Sequence, residues 1–242
     1  MSSHYVPHTK IPTLVFPTSA QASRHVALMI ESLIRQNNSA NRPTVLGLAT
    51  GSTPVGLYRE LIRLHKEAGL DFSRVITFNL DEYYPMQPDD PHSYHRWMHE
   101  TLFDHINLLP QNIHIPDGTI RQQDAEEYCA RYEQLIRRAG GIDLQILGIG
   151  RTGHIGFNEP GSTRHSRTRM ATLDPVTRRD AAGDFFGLEN VPHQALTMGV
   201  GTILDARKVV LLAFGEHKAK IVQRAVEQPV SEAVTASFLQ QH

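Results

Sequence analysis

Apolar residues recur along this chain in two alternating registers: short unbroken runs, and longer stretches where they return every three or four positions. The first register fits a strand buried on both faces, the second an amphipathic helix. Residues 13–16 form a run, and residues 20–35 carry Val26, Met29, Ile30, Leu33 and Ile34 at helical spacing. The pair then repeats, as a strand over 44–49 and a helix bearing Leu57, Leu61, Ile62 and Leu64. A third strand over 75–80 leads through a polar turn at 81–91 to a helix over about 93–105. A helix over about 124–138 passes through Gly140-Gly141 into a strand that opens at Gly148-Ile149-Gly150. Residues 208–214 and 216–226 read as a last strand and helix. Parallel strands need crossover connections, so this alternation predicts the α/β class, with a largely parallel sheet covered on both faces. The polar stretch 162–184 reads as a long loop or lid.

Composition narrows the setting. With 242 residues, 40% of them hydrophobic, the chain is expected to form one domain with a sizeable core. Lys and Arg number 24 against 25 Asp and Glu, and no basic run appears, so nucleic acid is not an expected partner. No apolar run approaches the ~20 residues that span a bilayer, which argues against a membrane partner. The N-terminus carries no signal-peptide pattern. The lone Cys129 can make no internal disulfide, and a cytoplasmic location is expected.

Three strand-end loops concentrate chemistry, where open parallel sheets place their ligands. The first holds Thr50, Gly51, Ser52, Thr53 and Pro54. Its Ser52 or Thr53 could cap the next helix, and its backbone could cradle a phosphate; an ordinary capped helix start reads the same way. The second, Asp81-Glu82, puts two acids at the end of a buried strand, suited to proton abstraction or to a solvated turn. The third runs from Gly148 through Gly150 and Gly153 to His154 and Glu159, pairing a proton carrier with an orienting carboxylate. His92, His95 and His99 lie near one face of the 93–105 helix, but a polar helix face needs no metal and none is expected. Arg167, Arg169, Arg178 and Arg179 could meet a phosphate or lie solvated.

Taken together, residues 47–54, 77–83, 153–160, 166–169, 196–204 and 215–219 resemble glucosamine-6-phosphate deaminases in order and spacing along nearly the whole chain. The Phe157-Asn158-Glu159-Pro160 segment favours this branch over the related 6-phosphogluconolactonases. The resemblance implies a Rossmann-like three-layer sandwich, one domain over 1–242 with a lid at about 161–190. It implies an enzyme of amino-sugar catabolism that isomerises and deaminates glucosamine 6-phosphate to fructose 6-phosphate and ammonia, without metal or cofactor. Thr50, Gly51, Ser52, Thr53, Gly148, Gly150 and Lys218 would then hold the sugar phosphate. His154 would open the ring, Asp81 would move a proton from C2 to C1, and Glu159 would tune His154. A homo-oligomer is compatible with the resemblance; the family usually continues into a further strand and helix that are absent here after His242, so the chain is expected to be either truncated or part of a longer polypeptide.

The chain departs from the family pattern at two places. Thr152 stands where an acidic residue is common, and Asp184 where an arginine often contacts substrate. Ala171 replaces a lysine of regulated relatives that bind an N-acetylated sugar phosphate, so that control is not expected. The departures motivate two alternatives: a related sugar-phosphate isomerase, or a non-catalytic sugar-phosphate sensor.

Overall fold

The computed structural model describes residues 3–242. Strands β1 (His4–Val6) and β2 (Thr13–Val15) open the chain as an antiparallel pair. Helix α1 (Ser19–Ser39) begins at Thr18, whose hydroxyl accepts from the Gln21 N–H. There follow β3 (Thr44–Leu48), α2 (Val55–Ala68), β4 (Val75–Asn79), β5 (Asp81–Tyr84), α3 (Tyr94–Thr101) and β6 (Ile113–His114). Next come α4 (Ala125–Arg138), β7 (Leu144–Leu147), β8 (Arg169–Thr172) and α5 (Pro175–Ala181). The chain closes with β9 (Gln194–Thr197), α6 (Val200–Leu204), β10 (Val209–Leu211) and α7 (Ala219–Glu227).

Five strands form a parallel sheet in the order β10-β7-β3-β4-β6. Successive side chains along a strand point to opposite faces, which divides the core in two. Leu46, Leu48, Leu144 and Ile146 pack with Ile30 and Ile34 of α1 and Leu57 and Leu61 of α2. Val45, Phe78 and Leu147 face the other way, against Tyr132 and Ile136 of α4 and Ile221 of α7. Both faces are covered, giving three layers, and this is why the strands read as unbroken apolar runs.

The structure departs from the expected elements where polar residues are buried. Residues 81–84 are not part of a turn: β5 pairs antiparallel with β9, which pairs with β8, in a separate three-stranded sheet. Of the two environments open to Asp81 and Glu82 in sequence, a desolvated strand end or a solvated turn, the structure shows the first: both are buried, in a strand paired with a segment distant in the chain. The expected loop at 162–184 likewise contains β8 and α5, because β9 supplies β8 with a partner more than twenty residues away. Strand β2 lies outside the parallel sheet, and the helix expected over 93–105 stops at Thr101 before a 3-10 turn, Phe103–His105.

From β3 the sheet grows to β4 and β6 on one side, then to β7 and β10 on the other, so a crevice opens beyond the ends of β3 and β7. These two strands approach closely because Gly47 faces Gln145, whose side-chain oxygen lies 2.0 Å from where a Gly47 Cβ would sit. Gln145 is fully buried and donates to its neighbour's carbonyl at Ile146. Gly47→Ala is therefore expected to lower stability by about 1–3 kcal/mol through overpacking. Urea unfolding would show it as a fall in midpoint; an unchanged midpoint would mean that the strands separate freely.

Candidate active site

Residues 49–54 carry the chain from β3 into α2. Gly51 has φ +91, with open space where a side chain would lie. Pro54 occupies the N-cap position and no side chain caps the helix, contrary to the capping expected of Ser52 or Thr53. The free N–H groups and positive end of α2 are thus available to an anion.

The two acids at the start of β5 have different environments. Glu82 accepts four hydrogen bonds: from the Tyr83 N–H at 2.9 Å, the Tyr94 N–H at 3.0 Å, the Ser93 hydroxyl at 2.7 Å and the His95 N–H at 3.0 Å. It serves as the anion at the start of α3, and although burial pushes its pKa up, these bonds pull against that shift. Asp81 faces the crevice instead. Burial, and secondly the charge of Glu82, push its carboxyl up to about 8.

The third loop is folded around His154. The Gly150 N–H donates to the His154 carbonyl, and a Cβ at Gly150 would fall 2.1 Å from the ring. His154 Nδ1 lies 2.8 Å from the Thr152 hydroxyl and 3.2 Å from Glu159 Oε2. The other Glu159 oxygen accepts from the Asp174 N–H at 3.2 Å, at the start of α5. Burial alone would raise the Glu159 pKa, but His154 and its other donors hold it below the usual range. The buried Asn158 pins the loop by donating to the carbonyls of Ile155 and Met198.

Thr50, Gly51, Ser52, Thr53, Asp81, Gly148, Gly150 and His154 line one cleft of about 240 Å³. Tyr94 and Phe157 also line it, stacked at 6.3 Å; sequence reasoning missed both as site residues, although Ser93 marks the helix start that positions Tyr94. Glu159 stands behind His154 rather than on the wall. Lys218 is not a wall residue either: its ammonium donates to the Ile149 carbonyl at 2.9 Å, and burial lowers its pKa. A larger hollow of about 380 Å³ lies beyond Glu159 and contains neither Asp81 nor His154.

The remaining candidates take structural roles. Arg167 pairs with Asp205, Arg169 donates to Asn158 and Ser162, and Arg178 donates to the carbonyls of Leu188 and Val191. Arg179 is exposed. His92 bonds Asp90 and stacks on Phe185, away from the His95 and His99 pair. Among the described residues, no group of three or more His, Cys, Asp or Glu is placed to hold a metal ion. No helix among them is long and apolar enough to cross a membrane.

Comparison with known proteins gives a consistent result. Residues 17–242 match the family of glucosamine-6-phosphate isomerases/6-phosphogluconolactonase. A glucosamine-6-phosphate deaminase of Arthrobacter sp. is 49% identical, over 95% of this chain and 86% of that protein. Glucosamine-6-phosphate deaminase 2 of Bacillus subtilis is 52% identical, over 87% of this chain and 85% of its own length. A putative glucosamine-6-phosphate deaminase-like protein of Bacteroides thetaiotaomicron is 47% identical over 96% of this chain, which spans only 35% of that longer protein. The structure of a monomeric glucosamine-6-phosphate deaminase superposes with TM-score 0.88 at 44% identity, over 93% of this chain and 91% of the other. A 6-phosphogluconolactonase from Trypanosoma brucei, 22% identical with TM-score 0.73, shares the fold.

Because burial raises the Asp81 carboxyl to about 8, the contribution of this group to stability is fully present below the ordinary carboxylate range and is lost as pH rises towards 8. Asp81→Asn removes that titration. The variant is expected to be more stable than the parent by on the order of 1–4 kcal/mol at neutral pH, with the difference vanishing near pH 4. Urea unfolding at both pH values tests this, and a difference independent of pH would refute it.

Proposed function

The chain belongs to the family of glucosamine-6-phosphate isomerases/6-phosphogluconolactonase, and within it we propose that it converts glucosamine 6-phosphate to fructose 6-phosphate and ammonia. One observation carries the reading: Asp81 and His154 line the same cleft as the uncapped start of α2. The names of the relatives at 46–54% identity favour deamination. The lactonase structures, at 18–22% identity, bear on the fold alone.

In the proposed reaction, residues 50–53 and the first N–H groups of α2 hold the phosphate, with Lys218 adding positive charge from behind the Ile149 carbonyl. His154 moves a proton from the anomeric hydroxyl to the ring oxygen, which opens the sugar. The ionised fraction of Asp81 takes the C2 proton, giving an enolate with its charge on O1, and returns it to C1; a proton passing from the nitrogen to O1 leaves an imine at C2. Water adds there and ammonia leaves. A carboxylate with a raised pKa is a stronger base towards carbon, so the burial that costs stability serves the proton transfer. Holding the phosphate fixes C1 and C2 against Asp81. The steps are proton transfers with ring opening, an addition of water and an elimination of ammonia, with no net oxidation or reduction, so none calls for a cofactor.

Neither departure from the family pattern removes a part of this machinery. Thr152 still bonds the His154 ring, and Asp184 is exposed and absent from the cleft wall. The sensor reading is accordingly not favoured. Residues 161–190 act as a lid in this reading, tied to Glu159 at the start of α5. A sugar-phosphate enzyme of this kind fits a cytoplasmic setting.

Ammonia release from glucosamine 6-phosphate tests the reading. Asp81→Asn should lower kcat by about 10² to 10⁴ while ligand binding persists. Full turnover by that variant would sink the mechanism, and absence of turnover by a folded parent would sink the assigned reaction. Lys218→Ala should act differently, raising KM by about tenfold with a smaller change in kcat.

A further inference from the structure

His154 Nδ1 has two oxygen neighbours of different kinds. Thr152 Oγ1, at 2.8 Å and in hydrogen-bonding geometry, can accept a proton or donate one. Glu159 Oε2, at 3.2 Å, can only accept while ionised; it is buried, and the Thr177 hydroxyl also acts on this carboxylate. The direction of the Thr152 bond decides which ring nitrogen carries the proton, and the carboxylate fixes that direction. If the hydroxyl donated, the Nδ1 lone pair would stand 3.2 Å from the Glu159 carboxylate, two electron-rich atoms opposed in a buried setting. With the proton on Nδ1, Thr152 accepts it and the carboxylate faces the positive end of the N–H dipole.

We propose that Thr152 is a positioning residue that, with Glu159, keeps the His154 proton on Nδ1 and so presents an unprotonated Nε2 to the cleft. Gly150 supports this placement, since any side chain there would collide with the ring at Nε2 and Cε1. A neutral hydroxyl achieves the placement without setting a second negative charge beside Glu159. The bare Nε2 is then the atom that receives the anomeric proton before passing it to the ring oxygen, so the inference rests on the reaction proposed above.

Long-range 1H–15N spectra of the histidine-labelled full chain, with His154 assigned through His154→Asn, report the tautomer without substrate. The parent should show a protonated Nδ1 and a bare Nε2. Thr152→Val removes the hydroxyl at nearly the same volume; its ring signals should shift towards a mixture of tautomers, and kcat should fall about tenfold or more with KM within about twofold. Thr152→Ser should restore both. A bare Nδ1 in the parent, or a valine variant with unchanged spectrum and kcat, would overturn the proposal. A parent that releases no ammonia while showing the expected tautomer would instead overturn the reaction and leave the positioning intact.

Discussion

The site hangs on the backbone of Leu80, where the parallel sheet gives way to the antiparallel one. Its N–H donates to the Leu48 carbonyl at 3.0 Å, continuing the β3 pairing, while its own carbonyl accepts from the Met198 N–H at 2.7 Å. One residue therefore belongs to both sheets, and the next is Asp81. Because Leu80 is buried and both its backbone groups are paired, the strand cannot slip without losing two hydrogen bonds in the interior. The crevice at the switch point consequently has a carboxylate fixed in its wall rather than carried on a loose turn.

That placement has an electrostatic consequence. Two adjacent carboxylates are taken from water, and the fold compensates only one. Glu82 has four donors and anchors α3, which sets Tyr94 into the cleft. Asp81 bears both desolvation and the field of its neighbour. The fold thus concentrates its unfavourable electrostatics at the group whose basicity the proposed chemistry uses.

The opposite wall follows a similar logic with different parts. Residues 150–159 close on themselves through glycine backbone contacts and are bound to β9 by the Thr197 hydroxyl, which accepts from the Phe157 N–H, and just beyond it by Asn158, which donates to the Met198 carbonyl. The His154 ring is consequently held from several sides. Its Glu159 partner also reaches α5, so the histidine and the segment over 161–190 are joined through one carboxylate.

The sequence by itself determined the layered α/β fold, because strands buried on two faces and helices buried on one leave different periodicities that need no knowledge of partners. It also marked the three loops, since glycine, a helix start and strand-end acids are local features. Only the tertiary structure decided that residues 81–84 are a strand and that 169–172 pair with β9, because antiparallel partners far apart in the chain leave no local signal. It gave the physical difference between Asp81 and Glu82, two neighbours that only the family resemblance had told apart: the donors that α3 brings to Glu82. It also moved Lys218 from the cleft wall to the Ile149 carbonyl and turned Arg167, Arg169 and Arg178 to partners within the fold. A side chain's charge is written in the sequence, but the direction in which it acts depends on which distant groups desolvate it or bond to it.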